Sequence, residues 1–204
     1  HQEATWCLSG LHLAVLIRWQ AMIVERIAIN LIRLPFRVSY GHKRKTHSEV
    51  YSVICRIEDG EGHSGLGEAV PRNYVTGETA QSARRDAEKL GKRLLGRRFS
   101  SFRDIQGCMN DLAAEWSEPF PSCAFAALDL ALHDCLAVSN QQDMSAYFGV
   151  ESKPVSYTAS IGLSSKAKLL ALLSVYRLSG IRAFKLKVGD ENDASRLRTI
   201  KNFM

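Results

Sequence analysis

Apolar residues occupy every second position in several early stretches of the chain, a spacing typical of strands with one buried face. These stretches predict strands over residues 23–33, 49–58 and 63–69. Asp59-Gly-Glu-Gly62 lies between the last two stretches and favours a tight hairpin turn. Pro35 is expected to end the first strand and to open a polar, basic loop over residues 36–47. The pattern therefore predicts an antiparallel meander of three strands.

Helical spacing replaces the alternation in the next part of the chain. Apolar residues recur there at intervals of three and four, which predicts helices over residues 78–95, 101–114 and from 121 onward. Ser101 with Asp104 resembles a helix-capping pair, and Pro121 suits the first turn of a helix. Small alanines around Leu128 and Leu132 permit close helix packing. Together with the meander, these helices predict an α+β domain over residues 22–150.

The order of elements changes again after Gly149 and Pro154. The pattern there predicts a strand over 155–161, a helix over 164–178, a strand over 181–188 and a helix from 192 onward. Strands and helices that alternate with short connections are typical of a parallel α/β structure. We therefore expect a second domain over residues 151–204.

The first 21 residues do not fit the pattern that follows them. The stretch from Trp6 to Ile17 is apolar, but it lacks the basic residues before it and the small-residue cleavage site after it that mark a secretory signal. Met22 is followed at once by the first strand pattern. We therefore expect Met22 to be the natural start and residues 1–21 to be a non-native or disordered extension.

Composition and charge are those of an ordinary globular protein, with 46% hydrophobic and 24% charged residues and a net charge of +6. The basic residues form short runs without interleaved aromatic residues, so we expect no nucleic-acid partner. No apolar run reaches the roughly 18 residues that a membrane span needs, so no membrane partner is expected either. The five cysteines are scattered without metal-ligand spacing, which favours reduced thiols and a cytoplasmic protein.

A lysine pair near the end of the chain is the strongest candidate for chemistry. Lys185 and Lys187 lie on one side of an otherwise apolar predicted strand, because side chains alternate across a strand. Each ammonium disfavours charge on the other, and partial burial disfavours both, so such a pair predicts an amine that acts as a base near neutral pH. The alternative is a solvent-facing edge strand with two ordinary lysines.

Several short segments occur together in an order that resembles the enolase superfamily. These segments are Gly65-Leu-Gly-Glu-Ala69, Val75-Thr-Gly-Glu-Thr79, Ala126-Ala-Leu-Asp-Leu-Ala-Leu-His-Asp134 and Lys185-Leu-Lys-Val-Gly189. Within that superfamily, the sequence resembles the muconate-lactonizing enzyme subgroup and its dipeptide epimerases. The resemblance implies an α+β capping domain, with a three-stranded antiparallel meander plus helices. It also implies that the first βαβα of a (β/α)8 TIM-type barrel follows and that this barrel is incomplete.

The resemblance also implies roles for individual residues. It makes Lys187 the base that moves the proton α to a carboxylate, with Lys185 disfavouring charge on it. It places Thr158 against the substrate, although a threonine with no function is equally compatible with a strand. It brings His42 and Arg44, from the loop between the first two strands, near a substrate carboxylate; a solvated loop is the alternative. Residues 71–76 match a second loop that closes over the substrate.

The resemblance further implies Mg²⁺ as cofactor, which stabilises an enediolate, and a dipeptide or N-acylated amino acid as small-molecule substrate. The family's metal ligands and second catalytic lysine are expected beyond Met204, so we expect this chain alone to be inactive. Asp190, Glu191 and Asp193 follow the second barrel strand directly, and we expect them to cap the next helix instead of binding metal.

Two other functions stay open from the sequence. A muconate cycloisomerase or an o-succinylbenzoate synthase-like lyase would use the same lysines. A non-catalytic fragment would predict neither metal binding nor activity. The resemblance also implies that the full-length protein is a homo-oligomer.

Overall fold

The computed structural model describes residues 4–8, 11–15, 20–42, 45–117, 119–151 and 153–203. Of residues 4–15 and 38–47 it describes at most the backbone. The strands are β1 Ala4–Leu8, β2 Leu11–Val15, β3 Met22–His42, β4 Lys45–Asp59, β5 Ser64–Ala69, β6 Arg98–Phe99, β7 Thr158–Ile161 and β8 Ala183–Leu186. The helices are α1 Asn73–Thr76, α2 Ala80–Leu94, α3 Phe102–Ala114, α4 Ser122–Ser139, α5 Met144–Phe148, α6 Lys166–Leu178 and α7 Asp193–Phe203.

The chain divides into two compact units. The first consists of His1–Leu34 and Val50–Glu151, and the second of Pro35–Glu49 and Ser152–Met204. The units therefore differ from the contiguous domains 22–150 and 151–204 that the sequence predicts, because the far part of the β3–β4 hairpin groups with the second unit.

The main sheet of the first unit has the strand order β5-β4-β3-β6. Strands β4 and β5 pair antiparallel from Val53 opposite Ala69 to Glu58 opposite Ser64. The predicted meander is therefore confirmed, and the short strand β6 adds to its far side through Met22 and Ile23.

The prediction that Pro35 ends the first strand is wrong. Strand β3 continues to His42, and β4 begins at Lys45. Most of the loop predicted over residues 36–47 therefore has the backbone conformation of a strand. Among the described residues, β6 pairs with β3 only at Met22 and Ile23. Backbone hydrogen bonds continue to Val24, whose N–H donates to the Arg97 carbonyl oxygen at 3.0 Å. A proline, which has no N–H group, is tolerated where a strand edge is not paired.

Residues 1–21 contain an antiparallel hairpin in which Ala4 of β1 pairs with Val15 of β2. The other residues of this stretch before Gln20 lie outside the described residues. That residues 1–21 are a non-native or disordered extension stays a prediction. That Met22 is the natural start stays a prediction.

Helix α4 forms the centre of the first unit and packs directly on β5. The contact is close enough that a Cβ atom on Gly67 would lie 1.9 Å from the carbonyl oxygen of Ala127. A Cβ atom on Gly65 would lie 2.1 Å from the backbone nitrogen of Cys135. Both distances are far below ordinary van der Waals contact, so glycine at these positions sets the spacing between strand and helix.

Within the described part of the chain, α4 alone is long and apolar enough, by length and composition, to cross a membrane. However, 67% of this stretch is buried inside the protein. Leu128, Leu132 and Leu136 are fully buried on it, as a central core helix requires.

Asp59 organises the hairpin turn between β4 and β5. Its Oδ1 accepts hydrogen bonds from the backbone N–H groups of Glu61 and His63, both at 2.9 Å, and its Oδ2 lies 2.9 Å from His63 Nδ1. Burial raises the pKa of Asp59, but the hydrogen bonds from His63 and Glu61 outweigh burial and hold the pKa below its usual value. The ionised carboxylate therefore stabilises the folded turn.

This carboxylate makes stability depend on pH. A pKa that is lower in the folded chain contributes stability above the ordinary value of 3.8, and the contribution is lost as the pH falls below it. The free energy of unfolding, measured in urea between about pH 3 and pH 6, is therefore expected to fall at the acid end. Asp59→Asn is expected to make the free energy of unfolding depend less on pH in this range. Asp111→Asn, at an exposed site, is the control and is expected to keep the pH dependence of the starting protein. An unchanged acid dependence in Asp59→Asn would contradict the assignment.

Glu78 ties the loop before α2 to the start of α4. Its side chain is 7% exposed and accepts hydrogen bonds from the Ser122 hydroxyl at 2.7 Å and the Cys123 backbone N–H at 3.0 Å. A carboxylate at this position satisfies an otherwise free N–H group and interacts favourably with the helix dipole.

Glu78→Ala is expected to lower the free energy of unfolding by about 2 kcal/mol, because it leaves buried donors unsatisfied. Urea unfolding followed by circular dichroism measures the loss. Glu88→Ala is the matched control: its carboxylate pairs with Arg84 on the surface of α2, and its removal is expected to cost less than about 0.5 kcal/mol. Equal losses in the two variants would show that Glu78 is not an anchor.

Candidate functional site

The candidate site lies on the parallel pair β7 and β8 of the second unit. Their register places Thr158 opposite Ala183 and Ser160 opposite Lys185. The α6 helix connects the two strands and α7 follows them, which confirms the predicted βαβα order.

The two faces of this strand pair differ in burial. One face carries the apolar side chains Ala159, Ile161, Phe184 and Leu186. Ala159 is buried, and the other three pack with residues of α6 and α7. Leu169 and Leu173 of α6 are fully buried in this cluster. The other face, called here the open face, carries Thr158, Ser160, Ala183 and Lys185, all of which are exposed.

Lys187 directly follows β8. Its backbone N–H donates to the carbonyl oxygen of Ile161 at 2.9 Å, so the pairing with β7 continues one residue beyond the strand. Alternation then assigns Lys187 to the same side as Lys185. Lys185 lies in β8 and Lys187 directly after it, at the carboxyl end of the strand, where barrel enzymes place catalytic groups. That the two lysines form a catalytic pair stays a prediction.

The prediction of a buried strand is only half right. Lys185 is exposed and Lys187 is half-buried, so apolar neighbours do not enclose the pair in the described part of the chain. The physical reason is that α6 and α7 cover one face of β7 and β8, and no described element of the second unit covers the open face.

The register of β7 and β8 shows which β7 residue lies beside Lys185. Thr158 lies on the open face, but at the beginning of β7 beside Ala183, whereas Ser160 is the residue beside Lys185. Sequence reasoning missed Ser160, because only the pairing of the two strands shows which β7 residue neighbours the lysine.

The two residues expected from the β3–β4 loop are only partly described. His42 is the last residue of β3, and its side chain lies outside the described residues. Arg44 lies outside them entirely. The range Pro35–Glu49 that contains both belongs to the second unit, the unit that carries the lysines.

The acidic residues after β8 organise the start of α7. Asp193 Oδ2 accepts hydrogen bonds from the backbone N–H groups of Gly189 at 2.6 Å and Asp190 at 3.2 Å. Asp190 Oδ1 accepts from Asn192 at 2.8 Å. These bonds fix the backbone of the segment that precedes α7, at Gly189, Asp190 and Asn192. That Asp190, Glu191 and Asp193 cap the helix stays a prediction.

Magnesium would need several carboxylate oxygens in one place. Among the described residues, no three His, Cys, Asp or Glu side chains come together in a group that could hold a metal ion. The described residues therefore do not fit a magnesium site.

The chain thus combines an antiparallel sheet packed on helices with the opening of a parallel barrel, and a lysine pair lies at the end of the second barrel strand. This combination defines the class of proteins in which an α+β capping domain precedes a (β/α)8 TIM-type barrel. A family profile described as mandelate racemase / muconate lactonizing enzyme, N-terminal domain, matches residues 21–149. The chain belongs to this family of the enolase superfamily.

Known epimerases and racemases resemble the chain over most of its length. It is similar to the L-Lys-D/L-Arg epimerase of Methylococcus capsulatus, with 32% identity over 172 residues that cover 81% of this chain and 45% of that protein. It is also similar to the N-succinyl-L-Arg/Lys racemase of Bacillus cereus, with 28% identity over 190 residues that cover 88% of this chain and 48% of that protein.

A solved structure gives the same picture. The structure of a dipeptide epimerase from Methylococcus capsulatus, complexed with Mg and the dipeptide L-Arg-D-Lys, matches with a TM-score of 0.77 and 29% identity. The match covers 89% of this chain and 50% of that chain. The chain spans about half the length of the curated relatives it matches.

Proposed function

We propose that this chain carries the proton-transfer strand of a racemase or epimerase that acts on the carbon α to a carboxylate, in dipeptides or N-acylated amino acids. The observation that carries the proposal is the lysine pair at the carboxyl end of β8, beside the exposed hydroxyl residues of β7. The similarity to a dipeptide epimerase and to an N-succinyl amino-acid racemase supports this substrate class.

Lys187 is the proposed base. As a neutral amine, its Nζ takes the proton from Cα, and the electron pair of the broken C–H bond moves toward the carboxylate to give an enediolate. The ammonium then returns the proton to the same face of the carbon, which exchanges hydrogen with water. Inversion needs an acid on the opposite face, and the resemblance implies a second lysine for this role.

Lys185 and the hydroxyl residues have supporting roles in the proposal. Lys185 lies on the same side of the strand as Lys187 by alternation, and it is proposed as the neighbour of the base. Ser160 lies beside Lys185 in the register of the two strands, and its hydroxyl is proposed to face the same part of the substrate. Thr158 lies on the same face as Ser160 but two residues earlier, and so further from the carboxyl end of β7. It is proposed to contact a part of the substrate that is more distant from the reacting carbon.

The proposed reaction also needs Mg²⁺, which would supply charge stabilisation for the enediolate. The described residues hold no group of metal ligands, so the ligands have to come from elsewhere in the active protein. For this reason we propose that the 204-residue chain alone is inactive.

Deuterium exchange at Cα tests the proposal directly. The product of the complete reading frame is incubated in D₂O with Mg²⁺ and L-Arg-D-Lys or N-succinyl-L-Arg, and the loss of the Cα proton is followed by NMR. Exchange is expected with at least one of these substrates, and it is expected to stop on chelation and to return with Mg²⁺. An absence of exchange across dipeptides and N-acylated amino acids would overturn the proposed function.

A second candidate is that the chain is a non-catalytic member of the family. The absence of a metal-ligand group among the described residues favours this reading for the chain taken alone. Calorimetry separates the two cases. The non-catalytic reading predicts that neither the 204-residue chain nor the complete product binds Mg²⁺. The epimerase reading predicts binding by the complete product.

A further inference from the structure

Arg196 of α7 is a buried charged residue close to the lysine pair in the sequence, and only 5% of it is exposed. Its guanidinium binds Asp190 through both ends: Nη1 donates a hydrogen bond to Oδ2 at 2.9 Å, and Nη2 forms an ion pair with Oδ1 at 2.9 Å. Nη2 also donates to Asp193 Oδ1. This is the fork geometry that arginine offers and lysine does not.

The two carboxylates in turn hold the segment that follows Lys187. Asp193 binds the backbone N–H groups of Gly189 and Asp190, and Gly189 has a φ of 143°, a conformation that favours glycine. On the other side, the Lys187 N–H is bound to Ile161. The segment from Lys187 to Gly189 is therefore fixed at both of its ends.

A simple helix cap does not require this arrangement. An aspartate alone satisfies the N–H groups at a helix start, and α3 and α6 are capped by single serines. Burying an arginine costs desolvation, which is offset only when its donors are well paired. The additional arginine therefore fixes the position of the two carboxylates, and through them the backbone beside Lys187.

We propose that Arg196, acting through Asp190 and Asp193, is a positioning residue for Lys187. This inference rests on the proposed function, in which Lys187 is the base. A base on one side of the substrate takes the proton from only one of the two epimers. Loosening Lys187 therefore slows the Cα exchange that starts from that epimer, whereas the other epimer still exchanges through the group on its own side. General unfolding would slow exchange from both epimers alike.

Arg196→Lys is the test, because it keeps the charge and removes the fork. In the complete product, kcat for Cα exchange is expected to fall roughly 10- to 100-fold from one epimer, with KM within about twofold of the starting value and the other epimer unaffected. Asp190→Asn is a second, less disruptive variant, because it keeps the Asp193 carboxylate that binds the backbone of Gly189 and Asp190. It is also expected to lower kcat for exchange from the same epimer, by a smaller factor. Arg198→Lys, at an exposed site on the same helix, is the control and is expected to leave Cα exchange from both epimers unchanged.

Equal losses from both epimers, or a change confined to KM, would show that Arg196 is merely structural and would overturn the proposal. Exchange that survives in Lys187→Ala from the epimer whose proton faces Lys187 would instead remove the proposed function. The positioning role is then decided by a measurement that needs no activity. Labelling of the chain with an amine-reactive reagent, read by mass spectrometry, is expected to rise at least about threefold at Lys187 in Arg196→Lys and not at Lys168. Unchanged labelling at Lys187 would overturn the proposal in that case.

Discussion

Gly67→Ala is expected to unfold the first unit or to destabilise it by at least about 3 kcal/mol. The added Cβ atom would lie 1.9 Å from the Ala127 carbonyl oxygen and 2.7 Å from the Ala131 backbone nitrogen, both within α4. A side chain could rotate away from such a contact, but these are backbone atoms in a central helix. The strand and the helix would have to separate, and the packing between them would be lost.

Thermal and urea unfolding, followed by far-UV circular dichroism, measure this effect. Gly107→Ala is the matched control, since Gly107 lies on the exposed side of α3 and an added Cβ there meets nothing within 4 Å. It is expected to stabilise the protein by up to about 1 kcal/mol, because alanine favours helix. Similar stability of Gly67→Ala and the starting protein would show that β5 and α4 are not in this close contact.

Lys187→Ala is expected to lower the rate of Cα exchange by about 1,000-fold or more in the complete product, because it removes the proposed base. Substrate binding is expected to change much less, so the loss falls on kcat. Rates are measured by NMR in D₂O, starting separately from each epimer, and the larger loss is expected for the epimer whose proton faces Lys187.

Two further variants keep this test specific. Lys168→Ala removes an exposed lysine from α6 on the other side of the strand pair, and its rate is expected to match that of the starting protein. Lys187→Arg keeps the positive charge but cannot act as a base near neutral pH, so it is expected to be as inactive as the alanine variant. An active Lys187→Arg variant would rule out proton abstraction by this residue.

Long elements with a clear period were predictable from the sequence. The alternation around Val53 and Ile57 identified β4, and the four-residue repeat from Leu128 to Leu136 identified α4, because each pattern reflects a face that is buried over many residues. The short elements β6, α1 and α5 were missed. At two to five residues they carry too little periodicity, and contacts with distant parts of the chain decide them.

The candidate site was predictable in the same uneven way. Alternation alone assigned Lys185 and Lys187 to one side of their strand. The exposure of Lys185 was not predictable, because it depends on which elements cover the open face. The partners Ser160 and Arg196 were missed for a related reason: one is defined by the register of two strands and the other by contacts in space. The Asp-x-x-Arg spacing of Asp193 and Arg196 was the one sequence signal that could have indicated the role of Arg196.

The membership of Pro35–Glu49 in the second unit has a consequence for dissecting this protein. The polypeptide passes from one unit to the other near residues 34, 49 and 151, so a protease that cuts once after Glu151 does not release the second unit intact. A fragment expressed from Ser152 onward would lack a hairpin arm that remains covalently attached to the first unit. The barrel strands therefore keep their hairpin arm only in a polypeptide that also contains the sheet from which the arm extends.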